Sequence, residues 1–350
     1  MKGMMNAAVL YAPADLRYEQ KPIPSIGPAD VLLRVKAAGN CGSDLKRIMV
    51  EGTHVFPCIP GHEFSGEVVE VGAEVSSHRV GDRVTAAPLL PCFKCEWCHA
   101  GQYNLCEDYD YLGSRSDGAF ADYVKVPEFN LVQLPPTVSF EAAAMTDPAG
   151  VALHAIRRAG GIDPGQVVVV LGAGPIGMFA CQWASVMGAG KVIATDILKE
   201  KLTVAHQLGV DVCIDSSKED VVARIMKETN SKGADLLIET AGSVETHRQA
   251  LLAARKRGTI VHIGRAYADI NLADEVFTKV FRRELTVVGA VNTNFSLHDH
   301  EWETTVRYIA SGAIRTDPLV SHRLPMKQVG DTFKKMFCKE ISYNKIIFLP

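Results

Sequence analysis

The hydrophobic pattern changes character partway along the chain. Up to about residue 135 the apolar positions come in short runs split by Gly and Pro, at 7–11, 30–38, 66–71 and 122–126, which predicts a mostly β region rich in turns. From about residue 140 the texture differs. Residues 140–158 are Ala-rich with few breakers apart from Pro148 and Gly150, and predict a helix. Strands are then predicted at 166–171, 191–195, 212–214, 235–239, 259–263 and 284–288. Helices are predicted from the end of the first of these strands to 187, and at 198–208, 221–229 and 244–254. Such alternation implies a parallel sheet with helices on both faces. The tail, 291–350, is expected to hold one helix near 302–311 and a closing apolar strand at 345–349.

Composition narrows the class. A chain of 350 residues suggests two domains, and 47% hydrophobic with 22% charged residues is ordinary globular usage. Lys and Arg total 37 against 40 Asp and Glu, a net charge of −3, so neither a nucleic-acid nor an anionic-membrane partner is expected. The longest apolar stretch, 167–181, is shorter than the ~20 residues of a membrane span. At the start, Asn6 interrupts the apolar run, and 7–11 is too short for a signal peptide, so a first β-strand in a cytoplasmic protein is expected.

The first chemical motif follows the predicted strand 166–171. Gly172-Ala173-Gly174-Pro175-Ile176-Gly177 is G-x-G-x-x-G in a strand–turn–helix setting. Gly172 allows the tight turn, Gly174 lets backbone approach a pyrophosphate, and Gly177 lets helix and strand pack. Pro175 and Ile176 open the helix, whose N-terminus attracts phosphate. The next strand ends in Asp196, where a ribose-binding carboxylate belongs; a carboxylate there repels a 2′-phosphate and favours NAD over NADP. Asp196 also suits capping of the helix beginning near Leu198.

Nine cysteines, at 41, 58, 92, 95, 98, 106, 181, 213 and 338, supply the second signal. Cys92-x2-Cys95-x2-Cys98-x7-Cys106 makes a four-thiolate site. Its last spacing departs from that of bacterial ferredoxins, which favours zinc, and four thiolates leave no open position, so the zinc is structural. Cys41, His62 and Glu63 are a dispersed Cys–His–carboxylate set of the kind that holds catalytic zinc, although a lone Cys and a lone His more often have structural roles. Cys58, Cys181, Cys213 and Cys338 are expected to be small buried hydrophobes. His154 and Trp302 are expected to pack, and His298 and His300, flanking Asp299, to be solvated.

Cys41-Gly-Ser-Asp, Gly61-His62-Glu63, the four-cysteine segment and the glycine turn, in this order over essentially the whole chain, resemble the zinc-dependent medium-chain alcohol and polyol dehydrogenases. Residues 41–48, 88–92, 112–120 and 301–304 are most similar to the galactitol-1-phosphate 5-dehydrogenase branch. The resemblance implies an α/β protein with a GroES-like, mostly-β catalytic domain carrying the zinc lobe (1–150) and a Rossmann doubly wound parallel-sheet domain (151–290). Residues 291–350 would complete the catalytic domain, and the active cleft would lie between the two. It implies one catalytic and one structural zinc per chain, NAD, and a homodimer or homotetramer. The catalytic zinc would be held by Cys41 and His62, with Glu63 beside them. Asp147 matches a further ligand position where the polyol enzymes usually carry Glu, so Asp147, Glu63 or water would complete the shell. Ser43 would pass the alcohol proton outward, or else cap the helix expected at 45–50. Many alcohol dehydrogenases continue that relay through a His three residues on, where this chain has Lys46.

The implied reaction is hydride transfer from a secondary alcohol of a polyol or polyol phosphate to NAD. A phosphate would need a cation, from Lys46, Arg47, Arg115 or Arg283, with Arg115 in the segment shared with phosphate-using relatives. The alternatives are an unphosphorylated sorbitol-, arabitol- or threonine-type substrate, a zinc-free quinone or enone reductase, a zinc-ribbon binding module, and an inactive homologue. The Cys41, His62 and Glu63 set argues against the zinc-free enzyme, and the acidic balance against the ribbon module.

Overall fold

The computed structural model describes residues 1–296 and 299–350, and His298 lies outside the described residues. The chain forms two compact units: residues 1–147, 294–310 and 320–350, and residues 148–293 with 311–319. The segment 311–319, grouped above with the C-terminal part, packs with the second unit because the Gln182 side chain both donates to Arg315 O and accepts from Arg315 N–H.

The first unit is built on a seven-stranded sheet. In spatial order it runs Val320–Pro325, Lys345–Leu349, Asp30–Gly39, Glu63–Val71, Arg83–Ala86 and Leu131–Gln133, with Tyr123–Pro127 also pairing Asp30–Gly39. The alternating apolar positions of Asp30–Gly39 explain its central place: Val31, Leu33 and Val35 enter one core with Phe64, Val68, Val84, Phe120 and Phe348. Lys345–Leu349 pairs antiparallel with the end of Asp30–Gly39, setting Ile347 opposite Gly39. Glu63 is opposite the same Gly39 on the other side. Residues nearly 300 positions apart in the chain therefore meet at one sheet position.

The second unit is a six-stranded, wholly parallel sheet in the order Val212–Asp215, Lys191–Asp196, Val167–Leu171, Ala234–Glu239, Ala254–His262, Thr286–Gly289. Val168 to Leu171 are fully buried, as a central strand covered by helices on both faces requires. The chain reverses direction of winding between Val167–Leu171 and Ala234–Glu239, and ligands of such sheets bind at that switch, beyond the carboxyl ends of the strands.

Several expectations are corrected. The helix expected at 140–158 is two, Phe140–Ala143 and Thr146–Arg158. Ser139 caps the first, and Pro148 falls in the first turn of the second, where no N–H partner is needed. The helix expected at 45–50 starts earlier, as Gly42–Lys46 followed by a π-helical turn Arg47–Glu51, with Cys41 rather than Ser43 at its N-cap. The tail holds a second helix, Val329–Phe337, whose Val329, Phe333 and Met336 join the first unit's core at helical spacing. Cys338 is exposed and Cys213 half-buried, so neither is the buried hydrophobe expected. Trp302 and His154 are buried. Among the described residues no helix is long and apolar enough to cross a membrane.

Candidate active site and metal centres

Cys41 ends the approach from the central strand and begins the turn Gly42–Lys46. His62 and Glu63 lie at the start of the neighbouring strand. One donor atom from each of Cys41, His62 and Glu63 falls within 4.8 Å of the others. A soft thiolate, an imidazole and a carboxylate, with His62 and Glu63 buried and Cys41 half-buried at the ends of two central strands, fit a zinc ion with a position left for substrate.

The set is held by residues that the sequence reading did not assign to it. Asp44 is fully buried. Its Oδ1 lies 3.1 Å from His62 Nδ1 and accepts from Arg47 at 2.7 Å, and its Oδ2 accepts from the Cys41 N–H at 3.3 Å. One carboxylate therefore orients the imidazole through the nitrogen away from the metal position and pins the backbone of the thiolate ligand. Burial works against its charge, but His62, Arg47 and the Cys41 N–H outweigh burial and hold its pKa below the ordinary value.

Lys345 is the second unassigned member. Its ammonium is buried, pairs with Glu63 Oε2 and donates to Asn40 O at 2.7 Å. Gly39 makes room for the pair: a Cβ there would stand 2.8 Å from Glu63 Oε2 and 3.6 Å from Lys345 Cδ. Lys345 opens an otherwise apolar strand, and nothing in its neighbours along the chain marks it.

Ser43 Oγ donates to Cys41 Sγ at 3.2 Å. Asp147 is buried but stands outside the 4.8 Å set, and burial, reinforced by Glu63, pushes its carboxyl up to about 7. Tyr111, also missed from sequence, sets its ring edge-on to His62 with centroids 5.6 Å apart, and burial and the Asp147 carboxylate raise its hydroxyl well above the ordinary value. Of the cations considered for a phosphate, Arg47 is committed to Asp44. Arg283 donates to Leu252 O and Ala254 O in the second unit, so it serves backbone carbonyls there. Arg115 is exposed and stacks over Tyr109 at 4.6 Å. Lys46 is half-buried, three residues beyond Ser43.

The lobe brings Cys92, Cys95, Cys98 and Cys106 together, all within 4.8 Å and none in a disulfide. Cys92 and Cys98 sulfurs are 3.9 Å apart. A tetrahedral zinc with Zn–S bonds of about 2.3 Å requires roughly 3.8 Å, so the spacing fits that ion. Backbone N–H groups of Lys94 and Cys95 stabilise negative charge on Cys92 and bring its thiol down to about 6.

In the second unit the glycine turn has the geometry its motif requires. Gly172 has φ of +105°, and a Cβ there would press on Ala241 N at 2.8 Å. A Cβ at Gly177 would collide with Gly172 O. At Gly174, by contrast, a Cβ would meet nothing within 4 Å, so open space faces the N-terminus of the helix Pro175–Val186, where Pro175 and Ile176 form the first turn. A pyrophosphate fits that space. Asp196 accepts from Ala173 N–H (2.8 Å) and from Leu198 N–H (2.9 Å), so it bridges the glycine turn and the start of the next helix. Lys201 Nζ stands 3.9 Å from it.

This pairing of a metal-ligand sheet with a dinucleotide-type sheet defines a metal-dependent dehydrogenase. Known proteins agree. Residues 27–136 match the alcohol dehydrogenase GroES-like domain, and residues 175–311 match the zinc-binding dehydrogenase family. Galactitol 1-phosphate 5-dehydrogenase of Escherichia coli (strain K12) is 37% identical over 96% of this chain and 97% of its own. L-Threonine 3-dehydrogenase of Symbiobacterium thermophilum is 36% identical over 95% of this chain and 93% of its own. The crystal structure of galactitol-1-phosphate dehydrogenase from Escherichia coli superposes with a TM-score of 0.93 at 34% identity, covering 99% of this chain and all of that one. The chain belongs to the zinc-dependent medium-chain alcohol dehydrogenase family and is an oxidoreductase.

Proposed function

We propose that the protein oxidises a secondary alcohol of a polyol phosphate of the galactitol 1-phosphate type, with NAD as hydride acceptor. The observation that carries this reading is the Cys41–His62–Glu63 donor set, oriented by Asp44 and charge-balanced by Lys345, in a chain of this family. When bound, zinc supplies Lewis acidity that lowers the pKa of the substrate hydroxyl, and NAD supplies the hydride-accepting carbon. Cys41 and His62 hold the metal, Glu63 takes the third position, and Asp147 stands by it. Ser43 Oγ is the side chain placed to receive the hydroxyl proton and release it outward past Lys46. Gly172, Gly174 and Gly177, with Pro175 and Ile176, seat the pyrophosphate, and Asp196 takes the ribose hydroxyls, which favours NAD over NADP.

The phosphate is assigned to Arg115, with Lys46 as the second candidate cation; His54, near Arg115, donates its backbone N–H to Ser114 O at 2.9 Å. Arg115 and Arg47 both lower the His54 pKa after burial does, so positive charge converges there. The ion pair of Arg47 with Asp44 removes one candidate cation and favours the second reading, an unphosphorylated sorbitol-, arabitol- or threonine-type substrate. We further assign a homodimer or homotetramer, because Thr286–Gly289 is an edge strand with Val287 exposed on it, and Phe277 and Phe281 are exposed on the preceding helix Asp274–Arg282. A reducing, cytoplasmic setting suits nine unpaired cysteines.

The test is nicotinamide reduction by zinc-replete enzyme with galactitol 1-phosphate, galactitol, sorbitol, arabitol and threonine in parallel. Turnover confined to the phosphate, weakened about tenfold or more in Arg115→Ala, is the expected result. Turnover of a free polyol or of threonine with none on the phosphate transfers the assignment to the second reading.

A further inference from the structure

The second unit contains a cluster of metal-ligand type that the dehydrogenase chemistry does not use. Glu239 ends the strand Ala234–Glu239, His262 ends the neighbouring strand Ala254–His262, and His247 lies on the helix Val244–Ala253 that crosses between them. One donor atom of each falls within 4.8 Å of the others. We propose that Glu239, His247 and His262 form a third metal site, for a divalent transition ion of the zinc type.

The geometry separates this from an ordinary hydrogen-bonded cluster. Glu239 is fully buried. Its Oε1 is satisfied by the Gly242 N–H at 2.8 Å and the Thr246 hydroxyl at 2.7 Å. Its Oε2 is enclosed and has no hydrogen-bond partner. A buried carboxylate oxygen left in that state costs free energy unless a cation meets it. The atom facing it is His247 Nε2, at 3.7 Å. That separation is too long for a hydrogen bond. It suits two atoms sharing one ion, since bonds of about 2.0–2.2 Å in a tetrahedron set ligand atoms roughly 3.3–3.6 Å apart.

The two imidazoles complete the argument. His247 Nδ1 and His262 Nδ1 are 2.7 Å apart, so one proton lies between them. With that proton on His247, its Nε2 lone pair is free for an ion beside the Glu239 oxygen, and His262, protonated on Nε2, must turn its Nδ1 lone pair from this hydrogen bond to the same ion. His262 is half-buried, which opens the cluster to entry from its side. Two nitrogens and one carboxylate oxygen select zinc, nickel or copper over magnesium or calcium. Thr240, next to Glu239, donates to Gly172 O at 2.9 Å, so an ion here would brace the glycine turn.

The test is zinc uptake by the full chain, counted by elemental analysis after titration with Zn2+. Three ions per chain are expected for the wild type, against two for Glu239→Gln and for His262→Asn. Cobalt replaces zinc as a second readout. The third equivalent of Co2+ adds ligand-field bands without the thiolate charge-transfer absorption of the two cysteine-containing sites. Thermal denaturation supplies the control for folding: added Zn2+ beyond two equivalents raises the wild-type Tm and leaves that of His262→Asn unchanged. Uptake that stops at two ions in the wild type, or a third ion retained in both variants, overturns the proposal.

Discussion

The cysteine lobe and the catalytic set share one unit, yet they are assembled differently. The lobe's four thiolates sit within 15 consecutive residues on loops and short turns, and its ligands need only local closure to meet. The catalytic set draws Cys41 from the end of one strand, His62 and Glu63 from the start of the next, and Lys345 from 282 residues beyond Glu63. Its assembly depends on the register that places Glu63 and Ile347 on either side of Gly39. The lobe is also charge-uniform, four sulfurs awaiting a cation. The catalytic set carries its own balance, with Lys345 against Glu63 and Arg47 against Asp44. A site with an open position must keep its charges ordered when the ligand leaves, and a closed site has no such need.

The contrast can be broken by mutation. The largest effect is expected from Cys41→Ser: one zinc per chain lost, the lobe zinc kept, and kcat/KM lower by roughly ten-thousand-fold, about 5 kcal/mol, read by elemental analysis and steady-state kinetics. Retention of both zinc ions with normal turnover would remove Cys41 from the site.

Lys345→Met comes next. It strands the buried Glu63 carboxylate, and a destabilisation of roughly 3–5 kcal/mol is expected in denaturant titration. The double variant Glu63→Gln, Lys345→Met should regain more than half of it. A single-mutant loss below about 1 kcal/mol would reduce the pair to the worth of a surface ion pair.

Cys98→Ser should act locally. The lobe zinc is lost and protease cuts appear between residues 92 and 106. Activity changes on the order of tenfold or less, because the lobe is a separable local structure. Some effect is expected, since Asp110–Tyr111, just past the last ligand, pairs with Leu89–Leu90 and carries Tyr111 to His62. The smallest effect concerns Cys58, a thiol of neither site. Burial pushes it up to about 12, so alkylation at neutral pH should leave it untouched in the folded protein while exposed Cys338 reacts. Peptide mass mapping reads the difference.

The contrast also explains what could be read in advance. The lobe and the glycine turn were legible because each is a short-range pattern: spacing or chain order alone brings the groups together. The alternating second half likewise announced its parallel sheet. Cys41, His62 and Glu63 were legible as residue types, but their company was not. Asp44 was visible only as the end of the Cys41-Gly-Ser-Asp motif, Arg47 as a candidate phosphate cation and Lys345 as the first residue of a strand. The helix Val329–Phe337 was passed over although its buried positions recur at helical spacing, and the break after Ala143 was hidden by unbroken Ala-rich sequence.

The sequence by itself determined the two-part α/β architecture, the four-thiolate lobe and the nucleotide turn, because those depend on periodicity and on contacts within a few residues. Only the tertiary structure decided which charges are partnered. It brought Lys345 to Glu63, and Arg47 and His62 to Asp44, since burial in a sheet removes water and makes each charged group take a neighbour that the fold, not the local sequence pattern, supplies.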